Sequence, residues 1–132
     1  MHVAIKPGFG ADPWVLKYGD SYYMTYTTAN NVQVTKSDNL TQLAQTGTTV
    51  YTPPAPFRDV WAPELHYIHG AFYIYVAMDK NGDNAQHRMY VLKGRSTTDP
   101  TEPFDVSCAL MVVWKDADRR CFADGRPDHI AG

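Results

Sequence analysis

Cysteine is nearly absent from this chain: Cys108 and Cys121 are the only two in 132 residues. That is too few for a disulfide framework, and their spacing is not that of metal ligands. The count allows one bridge between them; two free thiols are the expectation. An excess of one charge is missing too. Lys and Arg number 12 against 14 Asp and Glu, for a net charge of -2, and no like-charge run reaches the length of a binding tail. This removes the electrostatic reason to expect nucleic acid or an anionic membrane as partner. Long apolar runs are also lacking. No stretch approaches the ~20 residues of a membrane span, and residues 1–8 lack the apolar core of a secretory leader. The expectation is a cytosolic protein, or one whose leader is not carried on this chain. Helical patterning is missing as well: no segment of about ten residues shows a 3.6-residue apolar period. Residues 37–43 have room for one helical turn at most, since Asp38 and Asn39 are turn formers. The triplet Asn39-Leu40-Thr41 fits a glycosylation sequon but decides nothing about compartment.

What the chain does have is aromatics and a repeat. With 9 Tyr, 3 Trp and 5 Phe on a nearly neutral background, it suits sugar rings, whose C–H faces pack on aromatic faces while hydroxyls seek polar edges. For any single Tyr, filling a sheet face is the commoner role. The repeat is more specific. Ala11-Asp12-Pro13-Trp14-Val15-Leu16-Lys17 and Trp61-Ala62-Pro63-Glu64-Leu65-His66-Tyr67-Ile68 each lead from an Ala-and-Pro corner into a short apolar strand. A Gly-containing turn follows each (Tyr18-Gly19-Asp20, then Ile68-His69-Gly70). Aromatic-rich strands come next, Tyr22-Tyr23-Met24-Thr25-Tyr26 and Phe72-Tyr73-Ile74-Tyr75-Val76. A period of about 50 residues with several short strands per unit marks a β-propeller blade.

The strand signals fall at about residues 14–17, 21–27, 31–36 and 48–51, then at about 64–68, 71–78 and 87–93. Residues 51–57 hold three prolines and cannot continue a sheet ladder, so they read as the connector between blades. Asn81-Gly82 makes a good turn, and the acidic stretch around it places its Gly wrongly for an EF-hand calcium loop. Residues 107–114 are apolar without alternation and suit one buried strand. The charged remainder reads as a disordered tail.

Four motifs occur in order: Gly10-Ala11-Asp12-Pro13-Trp14, Tyr22-Tyr23-Met24-Thr25-Tyr26-Thr27-Thr28, Trp61-Ala62-Pro63-Glu64-Leu65-His66-Tyr67, and His87-Arg88-Met89-Tyr90-Val91-Leu92. Together they resemble glycoside hydrolase family 43, and within it most the exo-acting α-L-arabinofuranosidases and arabinanases. Each motif alone is weak; the ordered set, from about residue 6 to about residue 105, is specific. The resemblance implies an all-β fold, with two consecutive four-stranded blades of an incomplete five-bladed β-propeller. Blade 1 would occupy about 11–52 and blade 2 about 61–105, with an atypical segment at 106–132. It implies an extracellular glycosidase that cleaves α-L-arabinofuranosyl or β-xylosyl linkages of plant cell-wall polysaccharide with inversion. The implied partners are arabinose- or xylose-containing oligo- and polysaccharides, without nucleic acid or membrane. Self-association through open blade faces is a further expectation.

Asp12 corresponds to the family's general base. Pro13 fixes its own φ and should push Asp12 toward extended geometry, holding the carboxylate on a stiff corner. The alternative is that Asp-Pro merely starts a turn. Inversion needs a second, protonated carboxyl group about 6.5–9.5 Å away, leaving room for water. No residue here matches that general acid, so the isolated chain is expected to be nearly inactive. The resemblance also implies a third acid that tunes the second, and Asp124, in Phe122-Ala123-Asp124-Gly125, stands at about the right separation for it. Trp61, Glu64, Trp14 and Asn30 are the candidate substrate contacts. Glu64 reads as support or a substrate hydrogen bond before proton donor, Trp61 as a sugar platform or an equally plausible packed corner, and His87 as structural or rim-polar. No cofactor or metal is expected. The competing reading is a non-catalytic carbohydrate-binding propeller module, and a third is a piece that is not independently stable.

Overall fold

The computed structural model describes residues 12–43 and 47–110. Eight strands form two four-stranded antiparallel sheets, each a simple meander. The first sheet is β1 (Trp14–Tyr18), β2 (Ser21–Thr25), β3 (Val32–Ser37) and β4 (Thr48–Tyr51). The second is β5 (Phe57–Ile68), β6 (Ala71–Lys80), β7 (Asp83–Gly94) and β8 (Phe104–Leu110). The expected helical turn is a 3₁₀ turn at Leu40–Gln42, capped by Asn39, whose side chain accepts the Thr41 N–H. β8 is the strand anticipated in the apolar stretch near 107, and it carries the second sheet past residue 105.

The tight turns follow from residue chemistry. Between β6 and β7, Asn81 and Gly82 have φ of 59° and 76°, and between β5 and β6, His69 and Gly70 have φ of 50° and 79°. Two consecutive left-handed residues make the hairpin turn whose twist matches the strands, and Asn-Gly adopts it at least cost. The strands of the second sheet run longer than their sequence signal. β5 starts at Phe57 rather than near residue 64 and passes through Pro63, because its register with β6 shifts at two bulges, between Arg58 and Trp61 and between Trp61 and Glu64. Asp59 and Ala62, at φ of 54° and 49°, mark those irregularities. A bulge takes a proline out of the ladder, so the sheet continues beyond it.

The second strand of each sheet is covered on both sides. In β2 every residue except Tyr22 is buried, and in β6 only Tyr75, Ala77 and Lys80 are not. The main core lies between the two sheets and joins Tyr23, Val32 and Val34 to Leu65, Phe72 and Ile74. Phe72 has no exposed surface and meets the Tyr18 ring edge-on at 4.8 Å. A residue from β6 thereby locks onto β1, so the sheet-to-sheet angle depends on it. Phe72→Ala should cost about 3–5 kcal/mol, the usual penalty for emptying a buried aromatic site. Urea unfolding followed by circular dichroism would read this as a lower midpoint at unchanged slope.

Cys108, buried in β8, is disulfide-bonded. This corrects the expectation of two free thiols.

Candidate active site

The start of β1, the end of β2 and the first half of β5 lie at the same end of the two sheets, opposite the Gly19 and Gly70 turns. Asp12 sits two residues before β1 and is exposed. Its φ is 59°, so the backbone there is left-handed, not extended as Pro13 alone would suggest. Asp is among the few residues that tolerate this region, and such conformations persist where surrounding contacts over-determine them. Here the contact is Thr27, whose hydroxyl donates to Asp12 Oδ2 at 3.0 Å. The same hydroxyl accepts the Ala62 N–H at 2.8 Å. Ala62 itself has a φ of 49°. One threonine thus ties the carboxylate at the head of the first sheet to the first strand of the second.

Two further bonds hold the same seam. The buried Thr25 hydroxyl donates to the Pro63 carbonyl at 2.6 Å. Ala29 and Val60 exchange backbone bonds of 3.2 Å in both directions. Asn30 and Trp61 are the next residues after that bridge on either side. Asn30 is exposed, in a turn whose Thr28 hydroxyl accepts the Asn30 and Asn31 N–H groups at 3.3 and 3.0 Å. The threonines were present in a recognised motif, but nothing local marked Thr27 as the partner of Asp12.

Trp61 is 41% exposed. One face of its indole is covered by the His87 ring, stacked at 4.2 Å with 22° between planes. Trp14 is used differently. Its indole N–H donates to the Leu65 carbonyl at 2.9 Å and its ring lies 5.1 Å from His66. His66 meets Tyr75 edge-on at 5.3 Å, and its Nε2 is 3.2 Å from Glu64 Oε1. Trp14 and Glu64 therefore meet through His66, while Trp61 and Asn30 flank the Ala29–Val60 bridge. Asp124 lies outside the described residues. Among the described residues no group of three or more His, Cys, Asp or Glu is arranged to hold a metal ion.

A second acidic feature stands behind Trp61. Asp79 is fully buried and accepts the Gly82 N–H at 3.0 Å. Its hydrogen bond with the neighbouring Asp59 carboxyl group, followed by burial and by its charge, holds Asp59 above the usual carboxylate range, while Arg58 and His87 pull the other way. Two carboxyl groups bond to each other only while one keeps its proton. Asp59 thus contributes stability that is fully present below its ordinary pKa, about 4, and is lost as pH rises through its raised value. Asp59→Asn removes that titration and keeps a donor. It should melt at a higher temperature than wild type near neutrality, with the difference fading toward about pH 4. Thermal unfolding across that range checks the sign.

Comparison with known proteins adds an independent line. The family model described as Glycosyl hydrolases family 43 matches residues 2–125. An extracellular exo-α-(1→5)-L-arabinofuranosidase of Streptomyces avermitilis is 34% identical over 90 residues, covering 63% of this chain and 19% of that protein. An α-L-arabinofuranosidase 43 of Humicola insolens is 36% identical over 111 residues, covering 79% of this chain and 23% of that protein. The crystal structure of an α-L-arabinofuranosidase from Lactobacillus brevis superposes with a TM-score of 0.70 at 26% identity, over 83% of this chain and 39% of that one. The chain spans about a fifth of the length of the two sequence relatives.

Proposed function

The chain belongs to glycoside hydrolase family 43, and from that premise we propose that it is the base-bearing part of a glycosidase acting on α-L-arabinofuranosyl or β-xylosyl linkages of plant cell-wall polysaccharide. The two sheets act as the first two blades of a five-bladed propeller, with Asp12 facing the central channel. The Asp12 carboxylate takes a proton from a water as its oxygen bonds to the anomeric carbon. The glycosidic C–O bond breaks on the opposite face, and its oxygen takes a proton from a second carboxyl group, for which no motif of this chain offers a match. The product has inverted configuration, and each carboxyl group ends in the other's starting protonation state. Asp124 is carried in this reading as the acid that tunes the proton donor. Trp61, Glu64 and Asn30 contact the sugar, and Trp14 joins the two blades.

The observation that carries the reading is the double hydrogen bond of Thr27, which fixes the Asp12 carboxylate relative to the second sheet. A general base has to be held still for one water to be activated. The test is release of arabinose from linear arabinan by a family 43 domain that carries this chain, with and without Asp12→Asn. A second reading, a carbohydrate-binding module without catalysis, draws support from the exposed Trp61. Calorimetric titration of an arabino-oligosaccharide alongside a hydrolysis assay separates the two. The named extracellular relative supports a site of action outside the cell. Val15, Tyr67, Met89 and Val106 are large apolar residues left exposed, which favours self-association through open sheet faces.

A further inference from the structure

One buried cluster takes no part in the proposed chemistry. Asp79 has no exposed surface, and its Oδ2 lies 3.5 Å from His87 Nδ1. Both ring nitrogens of His87 are shut off from solvent and make no hydrogen bond among the described residues. A half-buried imidazole whose nitrogens are shut off from solvent is a costly thing to keep in place of an apolar residue. Its position shows what it does. Trp61 on β5 is paired with Ala77 on β6, and Ala77 with Met89 on β7. His87 is two residues before Met89 and so lies on the same face as Trp61, one strand further away. The single methyl group of Ala77 lets the two rings close over it. Asp79, two residues along from Ala77, then stands beside the imidazole and is itself pinned to the Gly82 turn.

We propose that His87 is a positioning residue: set beside Asp79 and on the same sheet face as Ala77, it forms the floor that sets the tilt of Trp61, so that the outer indole face is a platform for one pentose ring. The inference rests on the glycosidase reading and adds the part of the molecule that holds its sugar. Because His87 occupies the inner face, only the outer one is free. The platform therefore takes a single ring laid flat and cannot be intercalated between two. Without the floor, an indole that is 41% exposed has other rotamers open to it, and binding would have to order it.

The experiment uses the 132-residue chain and α-1,5-linked L-arabinotriose as probe. In aromatic carbon–proton spectra, the His87 ring protons should lie upfield from the indole ring current and return to ordinary shifts in Trp61→Ala. By calorimetry, His87→Ala should weaken arabinotriose binding about three- to tenfold, the worth of one aromatic pair. His87→Phe, which restores a flat floor, should recover most of it. Should His87→Ala not fold, Ala77→Leu separates the rings while leaving His87 and Asp79 in place, and it should show the same loss. Unchanged binding in His87→Ala or Ala77→Leu, with binding lost in Trp61→Ala, overturns the positioning role and leaves the sugar site standing. Unchanged binding in Trp61→Ala, or no binding by the wild-type chain, overturns the platform as well. Neither result bears on Asp12, whose test is turnover.

Discussion

In a family 43 domain that carries this chain, Asp12→Asn should lower kcat on linear arabinan by about 10²–10⁴, the ordinary worth of a positioned base, and leave KM within about threefold. The near-constancy of KM is the informative half. Asn keeps the shape, accepts the Thr27 hydroxyl through its amide oxygen and fits the same left-handed backbone, since Asn and Asp share that tolerance. Ground-state sugar contacts and the sheet seam are therefore preserved. What disappears is a group able to take a proton from water in the transition state. A parallel fall in kcat and kcat/KM is the signature of an interaction made only there. Turnover at the wild-type level would remove Asp12 from the chemistry, and a large rise in KM at constant kcat would make it a binding residue.

Local signals in the sequence went as far as local physics does. Asn81-Gly82 was readable as a turn because few residue pairs accept two left-handed conformations in succession. The aromatic strands were readable because β-branched and aromatic residues between turn formers have little else to become. The start of β5 was not, since Pro63 argues against a ladder unless bulges are known to lie on both sides of Trp61. The stretch from Asp79 to Asn84 reads from sequence only as a turn between two strands. Its first carboxyl group is instead fully buried, because the hairpin extends past the expected strand end and folds Asp79 in behind His87 and Trp61. Such burial depends on three strands meeting and has no signature in any one of them.

The site divides the same way. Asp12 is singled out by an ordered set of motifs, but the extended backbone expected from Pro13 is not what the chain adopts there. Its carboxylate is bonded instead to a residue 15 positions later in the chain, which also bonds one 35 positions beyond itself. Separations of that size lie beyond periodicity or capping arguments. They emerge only when β1, β2 and β5 are brought to one end of two packed sheets.

Thr27 is consequently the residue whose loss should matter most after Asp12 itself. Thr27→Val is nearly isosteric but removes the hydroxyl that donates to Asp12 and accepts from Ala62. The Ala62 N–H is then left without its acceptor, which should cost about 1–3 kcal/mol of stability. Freed of its donor, the carboxylate can swing, and a misplacement of about 1 Å in a reacting group is worth up to about a hundredfold in rate. We expect kcat to fall about 10- to 100-fold in Thr27→Val, with KM little changed. Thr27→Ser keeps both bonds and should retain most of the activity and most of the melting temperature. The serine variant separates positioning from packing: a Ser protein as slow as the Val protein would show that the hydroxyl alone does not hold the site, and a Val protein as fast as wild type would show that Asp12 holds its place without help.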